Sequence, residues 1–264
     1  MFPSRSSRLF LLALAAVLSA QTTPEVEITA EPHHHLILEN EYVRVFHVDV
    51  PAHTDTLMHW HRHDYVFVTL GATEVVNAVK GKDPVTLKLQ DGETHLLPAP
   101  FAHVARNLSD RNFLNLTIEL LYPAHVSQGC STKSCVVAPA KWDETRGLDI
   151  LQGGTKEILF ANDGVRGTEF ELQPGGVVPM HHHTGPHLLM AVSDLDLRDT
   201  VPRSDVASQN SLSGTMSGNV SGNVSGPMPV HFKSGEAKWF PGSYSHSLTN
   251  TGKQPAKFVT LEFP

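Results

Sequence analysis

The chain has 264 residues, 40% of them hydrophobic and 18% charged, with a formal net charge of −7. That balance belongs to a globular chain of one large or two small domains and excludes wholesale disorder. An acidic chain with no basic block interleaved with aromatics is not expected to bind nucleic acid, and seventeen histidines against three tryptophans favour metal chemistry over carbohydrate stacking.

Residues 1–20 read as a secretory signal. Arg5 and Arg8 precede a ten-residue apolar run, Leu9–Leu18, and Leu18-Ser19-Ala20 offers a cleavage site. The run is too short for a membrane-spanning helix, and no cysteine follows it to carry a lipid. An uncleaved anchor is the alternative. The expectation is a mature protein that begins near Gln21, outside the cytoplasm (periplasmic or extracellular), with no membrane contact once the signal is removed.

Residues 21–35 form a polar lead-in whose His33-His34-His35 tract reads as surface. A first domain, 36–122, then reads as strands. Tyr42–Val50 alternates with period two, Met58–Tyr65 leads into Val66–Gly71, and Val85–Leu89, Thr94–Leu97 and Phe113–Leu121 follow. No stretch has a helical period, so the fold class is all-β. Residues 123–145 are a linker carrying Cys130 and Cys135. In an oxidising compartment these two could close a small disulfide loop. A zinc pair would need two more ligands, and only His125 is near.

The second domain, 146–264, repeats the first. Asn40 to Arg44 matches Asn162 to Arg166 at an offset of 122, and at that offset His59 and His61 fall on His181 and His183. Later the offset is 143, so that Gly92, Pro98, His103 and Asn107 fall on Gly235, Pro241, His246 and Asn250. The difference is an insertion at 204–226, rich in Ser, Gly and Asn, which reads as a flexible excursion. A repeat this long means two copies of a whole domain.

Four histidines fall within seven positions at His181-His182-His183-Thr184-Gly185-Pro186-His187. Residues i and i+2 of a strand share a face, so His181 and His183 can converge while His182 points away. Gly185-Pro186 is a turn signal that can return His187 to the same centre. Neutral imidazole is a ligand for zinc, copper, iron and nickel. A histidine-rich surface loop is the bland alternative; His246 and the first-half copy weigh against it.

In the second half Gly175, His181-x-His183, His187 and Asp194 are followed by Gly235, Pro241-x-Ser243, His246 and Asn250. This resembles the two motifs of the cupin superfamily, G-x5-H-x-H-x3,4-E-x6-G and G-x5-P-x-G-x2-H-x3-N. The first half repeats both more loosely, from His53 through His59-x-His61 to Gly92, Pro98, His103 and Asn107. The resemblance covers nearly all of the mature chain and implies a bicupin: two tandem jelly-roll (double-stranded β-helix) barrels, each with one metal ion inside. By position it implies His181, His183 and His246 as ligands, with His187 in place of the motif glutamate. Asp194 and Ser243 stand where the motifs have glycine. In the first half it implies His59, His61 and His103, with Tyr65 at the glutamate position. Asp64 stands one residue away, and His63 is a further candidate. That site is either a three-histidine centre or a degraded one.

Four neutral imidazoles would leave the ion its full charge and two open octahedral positions. Those suit a bidentate anion, or a substrate plus oxygen. Iron, nickel or manganese fits such a site better than tetrahedral zinc. The leading expectation is a secreted, dioxygenase-like oxidoreductase acting on a small anionic or enolisable compound. The alternatives are a non-catalytic cupin that binds or stores a small molecule or metal, and a metal-dependent isomerase or lyase. Related barrels often associate through their sheets, but no exposed apolar stripe here fixes a homo-oligomer. Other residues take structural roles: His47, His95 and His125 as isolated histidines, Trp60 and Trp239 as packing, Arg44 and Arg166 as salt bridges, and Asn107 and Asn250 as loop braces.

Overall fold

Several strands of this chain are apolar on both faces because both faces are covered. In the computed structural model, which describes residues 25–121, 151–202 and 227–264, Val43 and Val45 pack outward against the other half of the molecule, while Phe46, Val48 and Val50 of the same strand pack inward. Successive strand residues face opposite ways, so one run of valines serves two cores. The signal stretch, the cysteine linker and the insertion fall outside the described residues.

The first half contains β1 (Glu25–Glu27), a 3-10 turn at Ile28–Ala30, β2 (His34–Glu39), β3 (Val43–Val50), β4 (Met58–His61) and β5 (Tyr65–Leu70). It continues with β6 (Thr73–Val79), β7 (Val85–Leu89), β8 (Thr94–Leu97), β9 (Phe101–Asn107) and β10 (Phe113–Leu120). Two five-stranded sheets result, ordered β1-β4-β9-β6-β7 and β2-β3-β10-β5-β8. The stretch from Glu25 to His35 is therefore not all lead-in: it supplies β1, which pairs in parallel with β4, and the start of β2.

The second half contains β11 (Gln152–Ala161), β12 (Arg166–His183), β13 (His187–Ala191), β14 (Leu195–Thr200), β15 (Met228–Phe232), β16 (Ala237–Phe240), β17 (Tyr244–Asn250) and β18 (Ala256–Glu262). The long strand β12 does the work of two. Its first part pairs with β18 and its second with β17, as β3 pairs with β10 and β4 with β9. The registers agree at the sequence offsets: Val48 lies opposite Asn115, and Phe170 opposite Phe258. The chain is an all-β pair of jelly-roll barrels.

The bend within each pair of strands needs a left-handed residue. Gly175 takes it with φ 78° in the second half, and His53, at the same position of the first, takes it with φ 56°. Ser243 also stands at φ 61°, where the motif has glycine. At the other conserved-pattern positions Asn107 Nδ2 donates to the carbonyls of Val50, Pro51 and Arg111, and Asn250 Nδ2 to those of Leu172 and Gln254, so both brace loops.

One apolar cluster joins the halves. Val43, Val66, Val68, Leu116 and Ile118 meet Leu188, Met190, Val259 and Leu261, and Trp239 packs against Tyr42 and Phe263. Trp60 lies elsewhere: it is on the outer face, where Arg62 covers its ring at 4.2 Å and its Nε1 donates to Glu25.

Candidate metal centres

Each barrel gathers three histidines inside, two from one strand and one from the strand paired with it. His59 and His61 come from β4, and His103 lies directly opposite His59 on β9. His181 and His183 come from β12, and His246 lies opposite His181 on β17. Period two turns both members of each His-x-His inward, and the pairing register supplies the third ring. The two groups, His59–His61–His103 and His181–His183–His246, can each hold a metal ion.

The hydrogen bonds behind the rings say which nitrogens face inward. His181 Nδ1 donates to the Pro179 carbonyl at 2.8 Å, His183 Nδ1 to Glu262 at 3.1 Å, and His246 Nδ1 to Asp199 at 3.0 Å. A carbonyl or carboxylate oxygen has no hydrogen to return, so each Nδ1 carries the proton and each Nε2 a lone pair. Yet His183 Nε2 stands 2.9 Å from His181 Nε2 and 3.1 Å from His246 Nε2. Facing lone pairs repel, and a cation between them removes the conflict. At neutral pH neither His181 nor His246 supplies it as a proton. Burial, then repulsion from His246 and His183, holds His181 at about 3, and burial also lowers His246 against the pull of Asp199. The donor set therefore fits a divalent metal, with the Nδ1 partners orienting each ligand.

The first half follows the same plan. His59 Nδ1 donates to the Leu57 carbonyl at 2.9 Å and His103 Nδ1 to Asn77 Oδ1 at 2.7 Å. His103 Nε2 stands 3.2 Å from His61 Nε2 and 3.1 Å from His59 Nε2. Burial, then repulsion from His34, holds His59 at about 4, and burial lowers His61 and His103 further. Among the described residues His61 Nδ1 and Glu119 Oε1 are buried without a hydrogen-bond partner, although Glu119 is the counterpart of Glu262.

The acidic partners are themselves anchored. Arg166 donates Nε to Glu262 at 2.7 Å and pairs with it again through Nη2. Burial alone would raise the Glu262 carboxyl; the His183 hydrogen bond and the Arg166 charge outweigh it and hold it at about 2. Arg44 pairs with Glu119 at 2.9 Å and with Glu39 at 2.8 Å. Both recurring arginines thus make ion pairs.

His187 and Tyr65 do not join the clusters. His187 lies between His183 and Phe240, stacked at 3.9 Å and 4.9 Å. Tyr65 stacks on His61 at 4.1 Å in the same way. Burial pushes the Tyr65 phenol up, so it keeps its proton and is a poor ligand. Asp64 accepts from the Ala99 N–H at 2.7 Å, away from the cluster, and His63 is exposed. Gly185 lets the β12–β13 turn close, since a Cβ there would collide with the Phe263 carbonyl.

The two centres differ most in the space around them. A cavity of about 210 Å³ opens from His59, His61 and His103, with Val48, Leu89 and Ala105 among its walls. Around His181, His183 and His246 the space is about 10 Å³, roughly the room of one water or ion. The cause is legible position by position. Where the first barrel has Val48, Leu89, Leu97, Ala105 and Asn115, the second has Phe170, Phe232, Phe240, Leu248 and Phe258. Larger side chains fill the second interior.

Several residues of the first site carry no repeat signal. His34 lines its cavity, 4.7 Å ring to ring from His59, although the tract it belongs to reads as surface. His95 lines it too, stacked on Phe67 at 5.0 Å and bonded to Glu93 at 2.8 Å. Asn77, Asp199, Glu119 and Glu262 also went unrecognised as orienting groups, though Asn77 and Asp199 share the 122 offset and the two glutamates the 143 offset.

No protein-family model matches the chain, and no curated protein matches it by sequence. Solved structures do match it in fold. AerE from Microcystis aeruginosa is 10% identical with a TM-score of 0.55, the match covering 89% of this chain and 98% of that one. The Mn(II)-containing oxalate decarboxylase of Bacillus subtilis is 12% identical with a TM-score of 0.54, covering 89% and 76%. A further oxalate decarboxylase structure, solved to define substrate binding, is 13% identical with a TM-score of 0.54, covering 84% and 69%. At such identities the likeness is one of fold: this chain has the cupin fold, with two histidine clusters able to bind metal.

Proposed function

We propose that the chain is a secreted bicupin whose first barrel is a metal-dependent oxidoreductase site of dioxygenase type and whose second barrel holds a structural ion. The observation that carries this reading is the cavity of about 210 Å³ over His59, His61 and His103, set against about 10 Å³ in the other barrel. A reaction needs room beside the metal for a substrate.

Three neutral imidazoles leave a bound ion its full charge and open positions for an anionic oxygen and a second ligand. The open positions of an octahedral ion suit iron, nickel or manganese better than closed tetrahedral zinc. The bound ion would supply Lewis acidity or activate oxygen. The chain's residues do the rest. His59 and His103 are held by Leu57 and Asn77, and Val48, Phe67, Leu87 and Leu89 exclude water and receive a hydrocarbon body. The cavity is smaller than the roughly 300–1,000 Å³ of drug-sized sites, which supports a small substrate. Its apolar walls favour an enolisable or aromatic compound over a wholly polar anion such as oxalate.

The test is oxygen uptake by metal-loaded protein with a panel of catechols and enolates. Uptake that disappears in His61→Ala and in Ala105→Leu, the second of which gives the first barrel the residue already present at Leu248, supports the reading. Ligand binding without turnover would leave a binding cupin in its place. Export through residues 1–20 is tested by the N-terminus of the protein recovered outside the cytoplasm, which should lie near Gln21.

A further inference from the structure

His34 reaches the first cavity from a stretch that precedes the recurring motif positions, and among the described residues the second barrel has no counterpart lining its site. At the 122 offset its counterpart is Lys156, and Lys156 does not line the second site. The counterpart of Glu31 is Gly153. Glu31 and His34 form a buried pair, with side chains 0% and 4% exposed and His34 Nδ1 2.6 Å from the carboxylate. Burying a carboxylate costs free energy unless it is fully hydrogen-bonded. Here it is: the backbone N–H groups of His33 and Leu57 also donate to Glu31, at 2.8 and 3.2 Å.

That carboxylate fixes the orientation of the ring. With Nδ1 taken up by Glu31, Nε2 is the ring nitrogen left for a ligand. The ring lines the cavity 4.7 Å from the His59 ring and 6.5 Å from the His61 ring. Among the described residues the ring's only hydrogen bond is the one to Glu31, and His34 stands outside the three-histidine cluster. A polar ring nitrogen is thus held at a fixed place in a mainly apolar wall, beside His59 of the cluster.

We infer that His34 anchors the substrate: its Nε2 accepts a hydrogen bond from a hydroxyl adjacent to the oxygen that faces His59, His61 and His103. The site thereby selects compounds with two neighbouring oxygens, one of which keeps its hydrogen, on a small apolar body, as in a catechol. This rests on the reading of the first barrel as a site for an anionic oxygen. Glu31 acts through His34 and is a positioning residue.

The test uses full-length, metal-loaded protein and titration calorimetry with catechol and with guaiacol, its mono-methyl ether, which lacks the second hydroxyl. Wild type should prefer catechol, and His34→Phe, which keeps a ring against Phe46 and His59, should lower that preference roughly 3- to 10-fold at unchanged metal content. Glu31→Gln, which leaves His34 in place but frees its tautomer, should lower it in the same direction and carries the test if His34→Phe fails to fold. An undiminished preference in both variants overturns the role of His34 and leaves the metal reading standing. Failure of metal-loaded wild type to bind either compound overturns both.

Discussion

Asn77 and Asp199 occupy the same position of the two halves, 122 residues apart, and each accepts the Nδ1–H of the histidine that completes its cluster. An amide does this in the first barrel and a carboxylate in the second. A carboxylate makes the imidazole behind it a stronger donor to metal than an amide does. The narrower barrel would therefore hold a bound ion more strongly, and an ion in the barrel with the cavity would be the more electrophilic. Asp199→Asn should weaken the second site by roughly 10- to 100-fold, read as faster loss of one ion per chain to a chelator. Unchanged retention would remove Asp199 from any part in holding the metal.

Stacking separates His187 and Tyr65 from the ligands. His187→Phe and Tyr65→Phe should leave two ions per chain, because a phenyl ring keeps the contacts with His183 and Phe240 or with His61 and Phe101. His183→Ala and His61→Ala should each remove one ion. Elemental analysis decides, and loss of an ion from His187→Phe would make that residue a fourth ligand.

The buried histidines set a pH dependence. His181 and His59 are held at about 3 and about 4 in the fold and titrate near 6.5 when unfolded. As pH falls below 6.5 the unfolded chain takes up protons that the folded chain refuses. Stability of the metal-free protein is therefore full above pH 6.5 and falls below it, by about 1.4 kcal/mol per pH unit for each such histidine. The contributions of these two stop growing near pH 4 and pH 3. Urea midpoints of metal-free protein from pH 8 to 5 check this; a level profile across pH 6 would contradict it.

At His53 a left-handed backbone, φ 56°, is imposed on a residue with a Cβ. Its ring contact with Asp110, at 2.9 Å, is exposed and offsets little. His53→Gly should stabilise the first barrel by about 1 kcal/mol, seen as a raised urea midpoint with metal content unchanged. A loss of stability would show that the His53–Asp110 contact outweighs the backbone strain.

The duplicated pattern made the architecture readable without coordinates. Period-two alternation marks strands, and His-x-His at that period turns two imidazoles to one face whatever the rest of the chain does. The return of His103 and His246 at matching offsets then names the third ring of each cluster. Local rules reach that far because they depend on neighbours in sequence. They failed at His187, where the turn signal at Gly185-Pro186 is real but delivers the ring into a stack on His183, and at His34, whose polar neighbours suggest surface.

What the sequence alone determined is which residues could face inward and in what order the elements come; strand alternation and an internal repeat suffice for that. Tertiary structure decided which barrel has room to work. Cavity volume is a sum over side chains brought together from distant strands: Val48, Leu97, Ala105 and Asn115 leave a space that Phe170, Phe240, Leu248 and Phe258 close. Those contributions meet only once the sheets have folded around them.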